Sequence, residues 1–159
     1  MRNRQEGIYG LPNLSPKDQL RVHLGNSTMN AAANLIKKAV KKQVPCLMEN
    51  GIQSMIWFAL PIKKLLQDDS ARIYVGDYCL QGRDYRKRTS FVAWGCSAVK
   101  KDSPLCQLCS SKKGFCDRTG EKHKILKGSV GGKWASSQGE VYPEAIAKAI
   151  ALAVLGEDR

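Results

Sequence analysis

Four residues between positions 106 and 123 have the types and the spacing of a metal site. Cys106 and Cys109 are separated by two residues, and Cys116 and then His123 follow after six residues each. Thiolate sulfur and imidazole nitrogen are the ligands of structural zinc, which takes four of them in a tetrahedron. The segment therefore predicts a zinc-knuckle-like insertion with these four ligands and with Cys96 as an alternate. Free thiols are the alternative interpretation.

An acid and a basic cluster form a second candidate site. Glu49 ends a short apolar run, and Arg86-Lys87-Arg88 precedes another. Open parallel sheets bind ligands in the crevice beyond the carboxyl ends of their strands. If both groups lie at the ends of neighbouring strands, they face one crevice. A surface acid and a solvated basic loop are the alternative.

The positive charge of the chain is concentrated in its second half. Residues 83–133 contain 13 Lys and Arg against 4 Asp and Glu, a net +9 of the total +12. Such a surface favours a polyanion, and nucleic acid above all. The candidate contacts are Arg83, Arg86, Lys87, Arg88, Lys112, Lys113, Lys122 and Lys124.

The elements that must position these groups follow from local signals. Ser15 and Pro16 predict a helix start, and the helical pattern runs to about residue 43, with a bend or break possible at Gly25. The runs 44–49, 71–75 and 90–93 read as strands. The helical pattern 54–67 should break at Pro61, residues 123–126 suggest a short strand, and a last helix begins near residue 143.

Two stretches resemble the DNA (cytosine-5) methyltransferases, in particular their divergent phage and mobile-element forms. They are Glu49-Asn50-Gly51, followed by Ser54 and Trp57, and Tyr85-Arg86-Lys87-Arg88-Thr89 running to Trp94-Gly95. The resemblance covers roughly residues 7–95, the second half of the family's catalytic domain. It implies that Glu49 recognises an extruded cytosine and that the basic cluster holds the base or its phosphate.

The departures from this family bear on catalysis. The glycine-rich loop for the methyl donor and the nucleophile loop would both precede this chain. Pro45-Cys46 lies in the strand of the glutamate itself, so we interpret Cys46 as a core residue. Catalysis therefore stays open. An active enzyme, and S-adenosylmethionine as its cofactor, would require a partner chain that supplies the missing half.

These observations together predict an α/β protein with a partial Rossmann-like open sheet, flanking helices and the Cys/His-rich insertion. The expected parts are an arm (1–14), a methyltransferase-like half-domain (15–95), a basic Cys/His module (96–127) and a C-terminal turn and helix (128–159). The predicted function is nucleic-acid binding, to DNA rather than RNA. The alternatives are a subunit of a split DNA cytosine methyltransferase and a structural component of a nucleoprotein assembly.

The expected cofactor is Zn²⁺, and a half sheet with an open edge predicts a protein partner or self-association. No run approaches the ~18 apolar residues of a membrane span. The polar N-terminus is unlike a secretory signal, so an intracellular protein is expected, with nucleus and cytoplasm both open.

Overall fold

The computed structural model of the chain describes residues 7–130, 133–134 and 141–156, with backbone alone at 129, 130, 133 and 134. The helices are α1 (Pro16–Lys41), α2 (Leu60–Leu65) and α3 (Glu144–Leu155), and the strands are β1 (Cys46–Gly51), β2 (Ala71–Asp77), β3 (Arg88–Trp94), β4 (Ser129–Val130) and β5 (Lys133–Trp134). Short 3₁₀ helices lie at Met55–Phe58, Tyr78–Gln81, Pro104–Cys106 and Lys112–Gly114. Among the described residues, no helix has the length and apolarity to cross a membrane.

The chain forms two compact units. The first contains residues 1–46, 53–72 and 93–95, and the second contains 47–52, 73–92 and 96–159. Along the chain, divisions between the two units fall within β1, β2 and β3. All the candidate site residues belong to the second unit.

The main sheet has the order β1-β3-β2 and is antiparallel. The N–H of Ile52, just after β1, donates to the carbonyl of Arg88 at 3.1 Å, and the N–H of Tyr78, just after β2, donates to the carbonyl of Lys87 at 3.2 Å. Both outer strands therefore end where β3 begins. A parallel connection needs a crossover of a dozen or more residues, and the link from β2 to β3 is shorter. The mixed α/β class is confirmed, but the Rossmann-like open sheet is not.

Several local predictions are confirmed in the first unit. The N–H of Asp18 donates to Ser15 Oγ at 3.3 Å, and Pro16 opens α1. The helix continues through Gly25 without a break. Pro61 lies in the first turn of α2, where its missing N–H has no helical partner to lose, and a 3₁₀ helix precedes it. The sequence pattern therefore located this interruption.

Residues 7–14, predicted as part of an arm, pack beside α1. The side-chain amide of Asn26 donates to the Tyr9 carbonyl at 2.8 Å. Gly10 lies so close to α1 that a Cβ atom there would be 2.8 Å from Val22 Cγ1. Residues 1–6, and much of the glycine-rich stretch before α3, lie outside the described residues.

The core of the second unit surrounds β3, which is buried along nearly its whole length. Phe91 packs with Tyr78, Tyr85, Leu105 and Ile146. Ile146 brings α3 into this core, as the sequence pattern predicted. Burial of side chains of this size contributes about 1.5–3 kcal/mol each to the stability of the fold. The packing around β3 therefore stabilises the position of the residues next to it.

The end of β2 is held against the segment that follows the 3₁₀ helix Pro104–Cys106. A Cβ atom at Gly76 would lie 2.7 Å from the Pro104 carbonyl oxygen, so only glycine permits this approach. One residue later, the N–H of Asp77 donates to the Gln107 carbonyl at 2.9 Å. This contact places the segment that contains Cys109 next to the end of β2.

Candidate metal centre and basic cavity

Three cysteines and one histidine converge in the second unit. Their ligand atoms, in Cys79, Cys109, Cys116 and His123, all lie within 4.8 Å of one another. Cys109 Sγ and His123 Nε2 are 3.7 Å apart. The three thiols are buried. A Cys₃His set at this separation matches the donor set of a structural zinc site, so the cluster could hold a metal ion such as zinc.

Cys79 and Cys109 both lie next to the end of β2. Cys79 lies on the 3₁₀ helix that follows β2, and the Nε of Arg118 donates to its carbonyl at 2.8 Å. The N–H of Cys109 donates to Asp77 Oδ2 at 2.9 Å. Both cysteines are therefore fixed to the end of the same strand.

Asp77 is fully buried and is the centre of a charged network. It accepts three hydrogen bonds from Arg88, of which the shortest, Nη2 to Oδ2, is 2.6 Å. Arg88 Nη2 also donates to the Cys109 carbonyl at 3.0 Å. Arg86 Nε reaches Asp77 Oδ1 at 3.5 Å. A buried carboxylate with this many donors is compensated, and it orients the Cys109 backbone beside the metal centre.

His123 directs Nε2 to the cluster, because its Nδ1 is hydrogen-bonded to the backbone. Its Nδ1 lies 3.0 Å from the Gly114 carbonyl, and its backbone N–H donates to the same oxygen at 3.1 Å. A carbonyl only accepts, so Nδ1 donates this hydrogen bond, and Nε2 is the ring nitrogen that faces Cys109. This backbone orientation of the imidazole is the usual support of a histidine ligand.

The thiols differ in how readily they ionise. Burial raises the pKa of Cys79, and its interactions with the Cys109 thiol act in the same direction. For Cys116, burial opposes ionisation, but hydrogen bonds from the backbone of Arg118 and Thr119 outweigh it and lower the pKa to about 7. The loop between Cys116 and His123 therefore stabilises a thiolate, the form that binds metal.

Three of the four predicted ligands are in this cluster, and the fourth prediction needs correction. Cys106 ends a 3₁₀ helix and is not in the cluster, and neither is the alternate Cys96. After Cys106 the chain is extended: Gln107 has φ −84° and ψ 123° and is hydrogen-bonded along the end of β2. Side chains of an extended segment alternate between its two sides, so residues three apart point away from each other. The extended backbone at Gln107 therefore accounts for the absence of Cys106 from the cluster that contains Cys109.

The fourth candidate ligand, Cys79, lies 30 positions before Cys109 along the chain, so spacing alone did not find it. Its signal is local. It stands two residues after a strand end, in a turn closed by Gly82, whose φ of 95° favours glycine. A cysteine held in such a turn next to a sheet is preordered for ligation.

A basic cavity of about 920 Å³ lies beside this candidate metal cluster and shares His123 with it. It is lined by Arg86, Lys87, Lys113, Lys122, Lys124 and Lys127, by His123, and by Tyr85, Ser111, Gly114, Ile125 and Leu126. Five of the eight predicted nucleic-acid contacts are among the six cations, and no acid is among the lining residues. His123 belongs to both the metal cluster and the cavity wall.

The other three predicted contacts lie elsewhere. Arg83 Nη2 donates to the carbonyls of Val141 and Tyr142 at 3.2 Å each. Arg88 is engaged by Asp77, and Lys112 is exposed but is not in the cavity lining. Arg83 and Arg88 therefore have structural partners already.

The basic triplet is divided between two acids. Lys87 Nζ lies 3.3 Å from Glu49 Oε1 and 4.8 Å from the centre of the Tyr78 ring, whereas Arg86 and Arg88 reach Asp77. Successive residues of an extended chain point to opposite faces, so the triplet cannot converge on Glu49. Only Lys87, the middle residue of the triplet, contacts Glu49.

Glu49 is also bound by an aromatic hydroxyl. Tyr142 Oη donates to Glu49 Oε2 at 3.2 Å. Burial, together with the adjacent Glu49 charge, raises the pKa of Tyr142 to about 12. The hydroxyl therefore stays protonated at neutral pH and holds the carboxylate in place.

No protein-family model, curated protein or solved structure matches the chain in comparisons with each of these three sets.

Proposed function

We propose that the protein binds nucleic acid, and DNA in particular, in the basic cavity, and that the adjacent cluster binds Zn²⁺. The observation that carries the first part is the charge of the lining: six of twelve residues are Lys or Arg, and none is Asp or Glu. Arg86, Lys87 and Lys124 also pair with Asp77, Glu49 and Asp84. The excess positive charge of the lining therefore comes from Lys113, Lys122 and Lys127, and a concave surface with excess positive charge attracts a polyanion. The chain's net charge of +12 acts in the same direction at longer range.

The choice of zinc rests on the chemistry of the donors. Three thiolates and an imidazole are soft or borderline ligands, which disfavour magnesium and calcium and suit zinc in a closed tetrahedral site. All four candidate ligands are provided by the protein, so this arrangement fits a structural ion rather than a catalytic one.

The test of DNA binding is its dependence on salt. The affinity of the zinc-loaded protein for a fluorescent single-stranded DNA is measured by anisotropy across a salt series. Each phosphate neutralised contributes about −0.7 to the slope of log K against log[salt] for a single strand. Replacing Lys113 and Lys122 by alanine should therefore make the slope shallower by about 1.4.

The matched control replaces Lys37 and Lys38, which are exposed residues of α1, by alanine. This variant loses the same charge outside the cavity and should keep the wild-type slope. Equal effects of the two double variants would assign binding to net charge and not to the cavity. Parallel titrations with duplex DNA and with RNA identify the preferred nucleic acid.

A second candidate is the subunit of a split DNA cytosine methyltransferase. The observation that favours it is the meeting of Glu49 with Lys87 beside the ends of adjacent strands, at 3.3 Å. Under this proposal a partner chain supplies the methyl-donor site, and Glu49 reads the base. Calorimetry with S-adenosylmethionine and the purified chain, alone and with a co-purifying partner, tests it. Absence of binding in both cases would remove the candidate.

A further inference from the structure

We infer that metal binding and nucleic-acid binding are positively coupled in this protein, because the metal centre orders one wall of the basic cavity. The inference rests on the proposed function and adds a regulation to it: the metal-loaded protein is the form with high affinity for phosphate.

The coupling has a direct structural route through His123. This residue is a candidate ligand, and it also lines the cavity between Lys122 and Lys124. Its ring Nδ1 and its backbone N–H both bind the Gly114 carbonyl, at 3.0 and 3.1 Å. Gly114 follows Lys113, another cation of the lining. An ion that fixes the imidazole therefore fixes the positions of three lysines.

The same wall is held by hydrogen bonds, among them the N–H of Lys124 to the Asp84 carbonyl at 2.8 Å, but it has little buried surface to order it. Within residues 112–122, Cys116 is the one buried residue, and it is itself a candidate ligand. Ser111 and Lys113 have φ values of 51° and 53°, which are unfavourable for residues other than glycine. An exposed loop with strained backbone reverts to other conformations unless something holds it. Of the four candidate ligands, Cys109 and His123 flank this loop and Cys116 lies within it.

The sign of the coupling separates ordering from simple electrostatics. A zinc ion bound by three thiolates and an imidazole carries a net charge of −1. A metal-loaded cluster of this charge repels phosphate and does not attract it. Charge alone would weaken the binding of phosphate, so tighter binding on metal loading can come only from the ordering of the cationic wall.

The experiment measures a short fluorescent single-stranded DNA binding to the full chain, with zinc and after removal of zinc by a chelator, at constant salt. Allosteric couplings amount to about 5–150-fold in affinity, and we expect the zinc-loaded protein to bind more tightly by a factor in this range. Reciprocally, saturating DNA should raise the affinity for Co²⁺, followed by its thiolate absorption band, by the same factor.

Variants separate the metal from the loop sequence. Cys79→Ser removes a ligand that is not part of the cavity lining, and it should bind DNA with the lower affinity even when zinc is present. Cys106→Ser, the matched control outside the cluster, should behave as wild type. If Cys79→Ser fails to fold, as judged by circular dichroism, the Co²⁺ titration of the wild-type protein decides the question.

Equal affinities of the zinc-loaded and zinc-free proteins, both with a steep salt dependence, would overturn the coupling and leave the proposed function standing. Weaker DNA binding on zinc loading would overturn it as well, and would show that charge dominates. If the zinc-loaded protein shows no salt-dependent binding of DNA at all, the proposed function fails and the coupling falls with it.

Discussion

Replacing Cys79 by serine provides the sharpest test of the metal centre, because the sequence spacing and the folded chain nominate different fourth ligands. Cys79 lies within 4.8 Å of the other ligand atoms, and Cys106 is outside the cluster. Serine is nearly isosteric with cysteine but is a poor ligand for zinc. We therefore expect Cys79→Ser to lose zinc and Cys106→Ser to retain one ion per chain.

The size of the effect follows from the linkage between binding and folding. Substitutions of groups that merely support a ligand lower metal affinity 10–100-fold, so loss of a direct ligand should reach about 100-fold. At a free zinc concentration 100 times the wild-type Kd, the ion stabilises the fold by about 2.7 kcal/mol, and after a 100-fold loss only about 0.4 kcal/mol remains. The difference of about 2.3 kcal/mol corresponds to a fall in Tm of about 5–9 °C for a domain of this size.

The assay combines zinc content, from elemental analysis of dialysed protein, with thermal unfolding at a fixed free zinc concentration. Both variants are also unfolded in the presence of chelator, where their Tm values should differ from the wild type much less. The reasoning is refuted if Cys79→Ser keeps one zinc per chain with an unchanged Tm while Cys106→Ser loses both.

Three further substitutions test the surroundings of the site. Asp77→Ala leaves Arg88 without its buried partner and should lower the free energy of unfolding by about 3–5 kcal/mol, measured by urea denaturation. Gly76→Ala places a methyl group against the Pro104 carbonyl, which cannot move aside like a side chain, and should cost on the order of 1–3 kcal/mol in the same assay. Tyr142→Phe should flatten the alkaline loss of stability. The pKa of this hydroxyl is about 12 in the fold and about 10 unfolded, so its ionisation in the unfolded chain lowers stability progressively from pH 10 to 12, and phenylalanine lacks this contribution.

Matched controls isolate each effect. Gly51→Ala, at a β1 position where a Cβ meets nothing within 4 Å, should be close to neutral. Asp69→Ala removes an exposed acid and should change stability by less than about 0.5 kcal/mol. The accounts of Gly76 and Asp77 fail if these controls cost as much as the substitutions they match. The account of Tyr142 fails if Tyr142→Phe and the wild type lose stability equally between pH 10 and 12.

Much of the secondary structure was predictable because its determinants are local. The Ser15 cap, the interruption at Pro61 and the final helix each depend on residues within one or two turns. The short strand predicted at 123–126 did not form. Instead, Phe115 and Lys122 form an isolated bridge. The exposed loop therefore pairs with itself and not with the sheet.

The sheet and the site were less predictable because they depend on contacts far apart in the chain. The direction of β3 is set by the length of the link from β2, which a run of strand-like residues does not reveal. Cys79 and Cys109 meet only because the extended segment after Cys106 lies along the end of β2. The three ligands found from spacing lie in one short loop, where distance along the chain and distance in space agree.

The pairing of Lys87 with Glu49, and of Arg86 and Arg88 with Asp77, favours the observed register of β3. Sliding β3 by one residue against its neighbours would move Phe91 to the opposite face of the sheet, away from Tyr78, Leu105 and Ile146, and would bring each cation to the wrong acid. A slipped register would therefore lose both the core packing and the ion pairs. A one-residue insertion or deletion in the linker at 83–85 should consequently be far more damaging than any single substitution there.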